Sequence, residues 1–317
     1  MESQTILCCS NTSISTIPSL PQSLKELNCS FTPIITIPTL PSQLKILYCH
    51  YTKISTIPSL PQSLEKLDCS HTQITSLPTL PRSLKKLYCS NTEISTIPTL
   101  PQSLMILYCY NTQITSLPAL PRTLKILRCY NTNISTIPDL SQSLMILNCS
   151  NTKIISFPIL PQSLKELHCS NTQLASIPTL PQSLMILDCS NTKIITISYL
   201  PQSLKKLYCY NTQIASIPTL PSSLEILNCS NTQITFLPSL PKTLTCLYCS
   251  SCKYLYIPKK SRARRFVKET EYNINYNYQV LKIQRVYKKF KQRKFQKTLY
   301  TNSNLPKDVC YCISKMI

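Results

Sequence analysis

Residues 161–180 read PQSLKELHCSNTQLASIPTL, and residues 181–200 read PQSLMILDCSNTKIITISYL. The second stretch nearly repeats the first. In the first, Leu164, Leu167, Cys169, Thr172, Leu174, Ile177 and Leu180 stand at fixed offsets, with prolines at 161 and 178. The same frame runs without a slip from Leu7 to Pro258. Such a period means stacked repeats, because one unit buries too little apolar surface to offset the entropy of ordering its own backbone. Leu167 and Cys169 alternate with His168 and Ser170, which predicts a short strand with the first pair inward. Two prolines per unit exclude a regular helix there and favour an extended return. Thirteen strands, centred on Leu7–Cys9 through Leu247–Cys249, would stack ~4.8 Å apart into a parallel ribbon about 60 Å long.

Leu-x-x-Leu-x-Cys-x-x-Thr-x-Leu resembles the leucine-rich repeat, L-x-x-L-x-L-x-x-N/C-x-L, over about 250 residues. The short unit and its Ile-Pro-x-Leu-Pro continuation resemble the twenty-residue subclass found in secreted effectors of pathogenic bacteria. The resemblance implies an α/β-type solenoid with strands on a concave face and extended, polyproline-like returns on a convex one. Some relatives carry a ubiquitin-ligase domain with a catalytic Cys, but only about 57 residues follow Lys260 here. Thr fills the family's Asn position in every unit until Cys252. Its hydroxyl can bond backbone groups of the turn leaving each strand. Asn at the preceding position (Asn91, Asn111, Asn131) either helps there or faces solvent. Ser141 and Ser198 replace prolines, and local loosening is expected at both.

Thirteen of the eighteen cysteines, Cys9 and every twentieth residue to Cys249, share one inward position. They read as small core residues that let coils pack closely. Side chains in register point the same way, so disulfides between rungs are not expected. Cys246, Cys249 and Cys252 spell C-x-x-C-x-x-C, but two of them are in phase with the repeat. No metal and no cofactor are expected. The chain has no glycine, hence no Gly-rich phosphate loop, and His50, His71 and His168 join no recurring acid–base set. The reading is non-enzymatic.

The variable positions make the surface. Those flanking the Cys collect aromatic and charged residues: Tyr88, Ile106, Tyr108, Tyr110, Ile126, Arg128, Tyr130 and Ile146 in the middle, and Tyr208 and Tyr210 further on. Tyr and Arg carry energy at protein interfaces, so a protein partner on this face is expected. Tyr is also a good strand former, which is the plainer account of the same residues.

Net charge is +21 and unevenly placed. Residues 1–258 hold 17 Lys and Arg against 9 Asp and Glu, while residues 259–317 hold 16 against 3. The expected division is a solenoid over 1–258, a basic linker over 259–270 and a basic tail over 271–317. An amphipathic helix is expected near 277–299, where Ile283, Val286, Tyr287 and Phe290 recur at three- and four-residue spacing. Ile283, Gln284, Lys288 and Arg293 resemble the IQ motif, which implies a calmodulin-like partner with Phe290 as a second apolar anchor. Lys289 and Gln296 depart from that motif. A basic helix also suits nucleic acid or an acidic membrane surface, or it could cap the last repeat. Lys259–Arg265 could address the nucleus. With no signal-peptide pattern and no apolar run of membrane-spanning length, the expected location is intracellular and cytoplasmic. Abundant Ile, Asn, Lys and Tyr point to an AT-rich genome such as that of a giant DNA virus.

Overall fold

The structure, a computed structural model, describes residues 4–252, Leu255 and Tyr256. Thirteen three-residue strands recur every twenty residues, from β1 (Ile6–Cys8) to β13 (Cys246–Tyr248). They form one parallel sheet in sequence order. Equivalent residues pair throughout, as Leu107 with Leu127 and Leu127 with Leu147. Each strand sits one residue earlier than expected. The inward Cys follows the strand, but its N–H continues the ladder, as Cys49 N donates to Asp68 O at 2.8 Å. Among the described residues there is no helix, so the α part of the expected α/β class is not found there. The returns are extended because proline recurs at two sites per rung. The expected tail helix, the linker and the IQ-like residues lie outside the described residues.

Nearly every local device ties one rung to the next. Lys45 N and Ile46 N both donate to Lys25 O, at 2.7 and 3.1 Å, and Lys53 N donates to Ile34 O at 2.9 Å on the return. A hydroxyl column repeats this with side chains, as Ser83 Oγ bonds Leu64 O at 2.6 Å and Ser203 Oγ bonds Leu184 O at 2.7 Å. Ser141 does not loosen its rung. It is buried, donates to Arg122 O at 2.6 Å and accepts from Ser143 N at 3.1 Å, so it takes over the column's duty. Thr works within its own rung, as expected. Thr112 Oγ1 donates to Cys109 O at 2.7 Å, three residues back, and the pattern recurs along the chain.

The residue before Thr is the least expected feature. Once per rung it takes a left-handed backbone, with φ between 52° and 57°. Glycine would be the ordinary choice, and the chain has none. Nine rungs use Asn, the side chain that tolerates this conformation best after glycine. The Asn amides then link rung to rung: Asn111 Nδ2 donates to Asn91 Oδ1, and Asn131 Nδ2 to Asn111 Oδ1, both at 2.6 Å. They do help the turn, and they face solvent as well.

The core is a set of parallel columns, with Leu164, Leu167, Cys169 and Leu174 representative of its fully buried members. All sixteen described cysteines are free thiols. Several donate to the next rung, as Cys89 Sγ lies 3.4 Å from Tyr108 O. Burial pushes the Cys89, Cys129 and Cys209 thiols up to about 12 from an ordinary 9.

Replacing Asn131 by Ala forces an unfavourable left-handed backbone and removes amide bonds, so urea unfolding should report a loss of about 1–2 kcal/mol. Asn131→Gly restores the backbone alone and should recover about half of it; an alanine variant as stable as the parent would contradict the assigned turn. The raised thiols set an alkaline limit. Below pH 9 they are protonated in both folded and unfolded chains and do not affect the balance. Between pH 9 and about 12 the unfolded chain loses those protons and the folded chain does not, so stability falls as pH rises. These three thiols alone contribute a slope of about 4 kcal/mol per pH unit. Melting temperature should drop steeply above pH 9, and less steeply in a Cys89→Ala, Cys129→Ala, Cys209→Ala variant; equal slopes would refute the assignment.

Candidate binding face

Each rung presents its second inward Leu to the core and its flanking residues to the other side of the sheet. The column just after that Leu runs Tyr88 on β5 (Lys86–Tyr88), Tyr108 on β6 (Ile106–Tyr108) and Arg128 on β7 (Ile126–Arg128). In-register pairing sets Tyr88 beside Tyr108 and Tyr108 beside Arg128. The Tyr88 and Tyr108 rings meet edge to face at 5.0 Å, and the Arg128 guanidinium lies over the Tyr108 ring, 4.9 Å from its centre. Tyr110 and Tyr130 stack at 4.3 Å with an interplanar angle of 7°. Tyr108 joins the two groups, 6.3 Å from Tyr110. On the strand side, Ile106, Ile126 and Ile146, the last on β8 (Ile146–Asn148), form an apolar row in register. All eight of these residues are half-buried, so their bodies are supported while their edges stay open.

The structure thus brings together Tyr88, Ile106, Tyr108, Tyr110, Ile126, Arg128, Tyr130 and Ile146. It does not bring Tyr208 or Tyr210 to them. Tyr208 lies on β11 (Lys206–Tyr208), four rungs beyond β7 or ~19 Å along the ribbon.

Charges of both signs lie beside the tyrosines at the two places. On β4 (Lys66–Asp68), Lys66 Nζ lies 4.4 Å from the centre of the Tyr48 ring and 5.6 Å from that of Tyr88, and donates to the Tyr48 hydroxyl at 2.8 Å. Lys66 and Arg128 therefore flank the tyrosines with positive charge, while the Asp68 carboxylate stands in register beside Tyr88. Burial raises the Tyr88 and Tyr130 hydroxyls above the ordinary value, with Lys66 pulling Tyr88 back in part. Both stay neutral donors at pH 7. Near β11 burial and then the Asp188 charge raise Tyr208, Lys206 stands on the same strand, and Glu166 lies 3.6 Å from His168 two rungs before.

Sequence reading missed Lys66 because a lysine on a short strand looks like ordinary surface, and only the register places it between two rings. It also missed a second aromatic column. Phe31, Tyr51 and His71 take the left-handed position that Asn takes elsewhere, and their rings stack at 4.6 and 4.0 Å. Comparing what replaces Asn at that offset would have found it. Of the C-x-x-C-x-x-C run, Cys249 and Cys252 are buried while Cys246 sits half-buried in β13. The tail residues Ile283, Gln284, Lys288, Phe290 and Arg293, the Lys259–Arg265 run, Cys310 and Cys312 lie outside the described residues.

The family pattern described as "Leucine Rich repeats (2 copies)" matches residues 62–102. No curated protein matches the chain. YopM from Yersinia enterocolitica is 32% identical with a TM-score of 0.77 over 81% of this chain, and the chain spans 58% of that protein's length. YopM from Yersinia pestis, a leucine-rich effector protein, is also 32% identical, with a TM-score of 0.71 over 78% of this chain and 77% of its own. The functional domain of InlJ from Listeria monocytogenes, which includes a cysteine ladder, shares the fold at 21% identity and a TM-score of 0.64, over 80% of this chain and 55% of its own.

Proposed function

The chain belongs to the leucine-rich repeat family, and on that premise we propose that it is a non-enzymatic binding module that docks a protein on the sheet face between β4 and β8. Leucine-rich repeat proteins are protein-interaction scaffolds, and the similar YopM is a leucine-rich effector protein. The observation that carries the site is the contiguous group of Tyr88, Tyr108, Arg128, Tyr110 and Tyr130, locked by mutual ring contacts yet open at its edges. Rigid aromatic side chains lose little entropy on binding and still donate hydrogen bonds, which makes them interface anchors. Lys66 and Arg128 beside neutral tyrosine hydroxyls favour a partner surface with carboxylates and apolar groups. Tyr208 and Tyr210 form a separate, outlying contact.

We further propose that the tail adds a second attachment. The IQ-like spacing of Ile283, Gln284, Lys288 and Arg293, with Phe290, supports a calmodulin-like partner, and titrating calmodulin into a peptide of residues 277–300 checks it. The excess of 16 basic over 3 acidic residues in 259–317 supports nucleic acid or an acidic membrane surface as the alternative. The free, buried thiols suit a reducing intracellular compartment, cytoplasmic or, through Lys259–Arg265, nuclear. The Ile-, Asn-, Lys- and Tyr-rich composition supports a viral, AT-rich source.

Affinity capture from the native cell, comparing the parent with Tyr108→Ala plus Tyr130→Ala, tests the central reading. Two hot-spot truncations at ~2 kcal/mol each should lower partner recovery by well over tenfold. The half-exposed rings leave the core intact, so melting should hardly change. Tyr208→Ala plus Tyr210→Ala should cost far less. Equal losses from both pairs, or none from either, would remove the face from the account.

A further inference from the structure

The return side of the solenoid carries mostly Ser and Thr at its outward positions; Ile35 is exposed singly near the start, but two nearby rungs each expose a pair of large apolar residues. Ile155 is 65% exposed and Ile159 85% on the rung of β8. Ile195 is 54% and Tyr199 44% exposed on the rung of β10 (Ile186–Asp188). The rung between them offers Ala175, the low member of the column that runs Ile155, Ala175, Ile195. Two apolar ridges therefore flank a low floor. They lie two rungs apart, ~10 Å between centres, which leaves room between them for one side-chain ridge of a helix lying across them. Tyr199 is held across the rung boundary by Gln182, at 3.1 and 3.2 Å. This surface is on the far side of the sheet from the tyrosine group and plays no part in that face. Contiguous apolar surface of this kind marks an interaction site.

The chain itself carries a fitting occupant. The described chain ends on the same side, where Tyr256 pairs with Phe236 and the two rings meet edge to face at 6.3 Å. Tyr256 is three rungs past Ile195 and five past Ile155, ~15–25 Å along the ribbon. Twenty-six residues, 257–282, precede Ile283, the first of four apolar residues spaced for one helical stripe: Ile283, Val286, Tyr287 and Phe290. Twenty-six residues reach up to ~90 Å when fully extended, so their length is sufficient for that distance. Tethering makes the docking intramolecular, which favours even a weak site. Asp139, one rung before Ile159 in the same column, supplies a carboxylate for a basic side chain of the segment.

We propose that residues 277–299 dock back, apolar stripe inward, into the groove between Ile155 and Ile159 on one side and Ile195 and Tyr199 on the other. The contact is chiefly apolar, so it persists at high salt, unlike adhesion of a basic tail to an acidic surface. It uses Ile283 and Phe290, the anchors a calmodulin-like partner would take, so the two engagements exclude each other. It does not depend on the reading of the sheet face.

The full chain tests this, with a benzophenone amino acid placed at 159 and, as a control, at Ser95 on the return side of the β5 rung. Irradiation should join position 159 to a residue within 277–299 in the same chain, with a yield constant over a tenfold range of protein concentration and in high salt. Ile283→Glu with Phe290→Glu should cut that yield at least tenfold while the melting of the solenoid stays the same. The control should give little. Cross-links between chains that grow with concentration would make the groove a self-association face and overturn the proposal. So would equal yields from 159 and 95, or a yield at 159 indifferent to the double substitution.

Discussion

No rung of this protein can satisfy its own backbone. The strands are three residues long, and their N–H groups find carbonyls only on the neighbouring rung, as Cys49 N finds Asp68 O and Ile46 N finds Lys25 O. A buried amide left unpaired costs several kcal/mol relative to a paired one, so each rung requires two neighbours in strict register. Everything else about the sequence follows from that requirement. A one-residue slip would turn Leu and Cys outward and Tyr inward, so the period cannot vary. Columns of identical side chains then become cheap ways to add further ties: Ser hydroxyls to the preceding Leu carbonyl, Asn amide to Asn amide, thiol to carbonyl.

The same register makes the surface. Because position i stands beside i+20, a residue's chemical surroundings on the sheet are set by the same offset in the two adjacent repeats. Tyr108 meets Tyr88 and Arg128 for this reason alone. A surface patch is thus written in residues twenty apart, not in a local motif. This also lets two faces differ without conflict: the sheet side collects tyrosine and cation, while the return side collects the Ile155 and Ile195 ridges.

How much of this was legible depended on whether a residue's role lies in its own offset or in its neighbours'. The Leu and Cys columns, the parallel order, the Thr hydroxyl at the turn and the grouping of Tyr88 through Ile146 could be read directly, because each rests on periodicity. The left-handed turn could not be read with the same ease, since its usual marker, glycine, is missing and Asn has other uses. Lys66 between Tyr48 and Tyr88 was hidden for a related reason: its significance lies in flexible side chains meeting across rungs. Ser141 was misjudged because loss of proline drew the attention, whereas the hydroxyl it gained replaces the tie made elsewhere by the residue two positions on. Tyr208 and Tyr210 share a composition with the central group but stand four rungs away, and composition carries no distance.

The claim on which all of this rests is that register, and not any single rung, defines the folded state. It is tested most directly by excising part of the middle and following unfolding in urea. Removing residues 141–160 deletes one complete unit and lets β7 pair with β9 (Glu166–His168) in the same register. That protein should remain folded and unfold cooperatively, with a slightly lower midpoint for the loss of one interface. Removing residues 141–150 deletes half a unit and puts every later column out of phase at the junction, which should split the transition or abolish it. Equal behaviour of the two deletions would contradict the account.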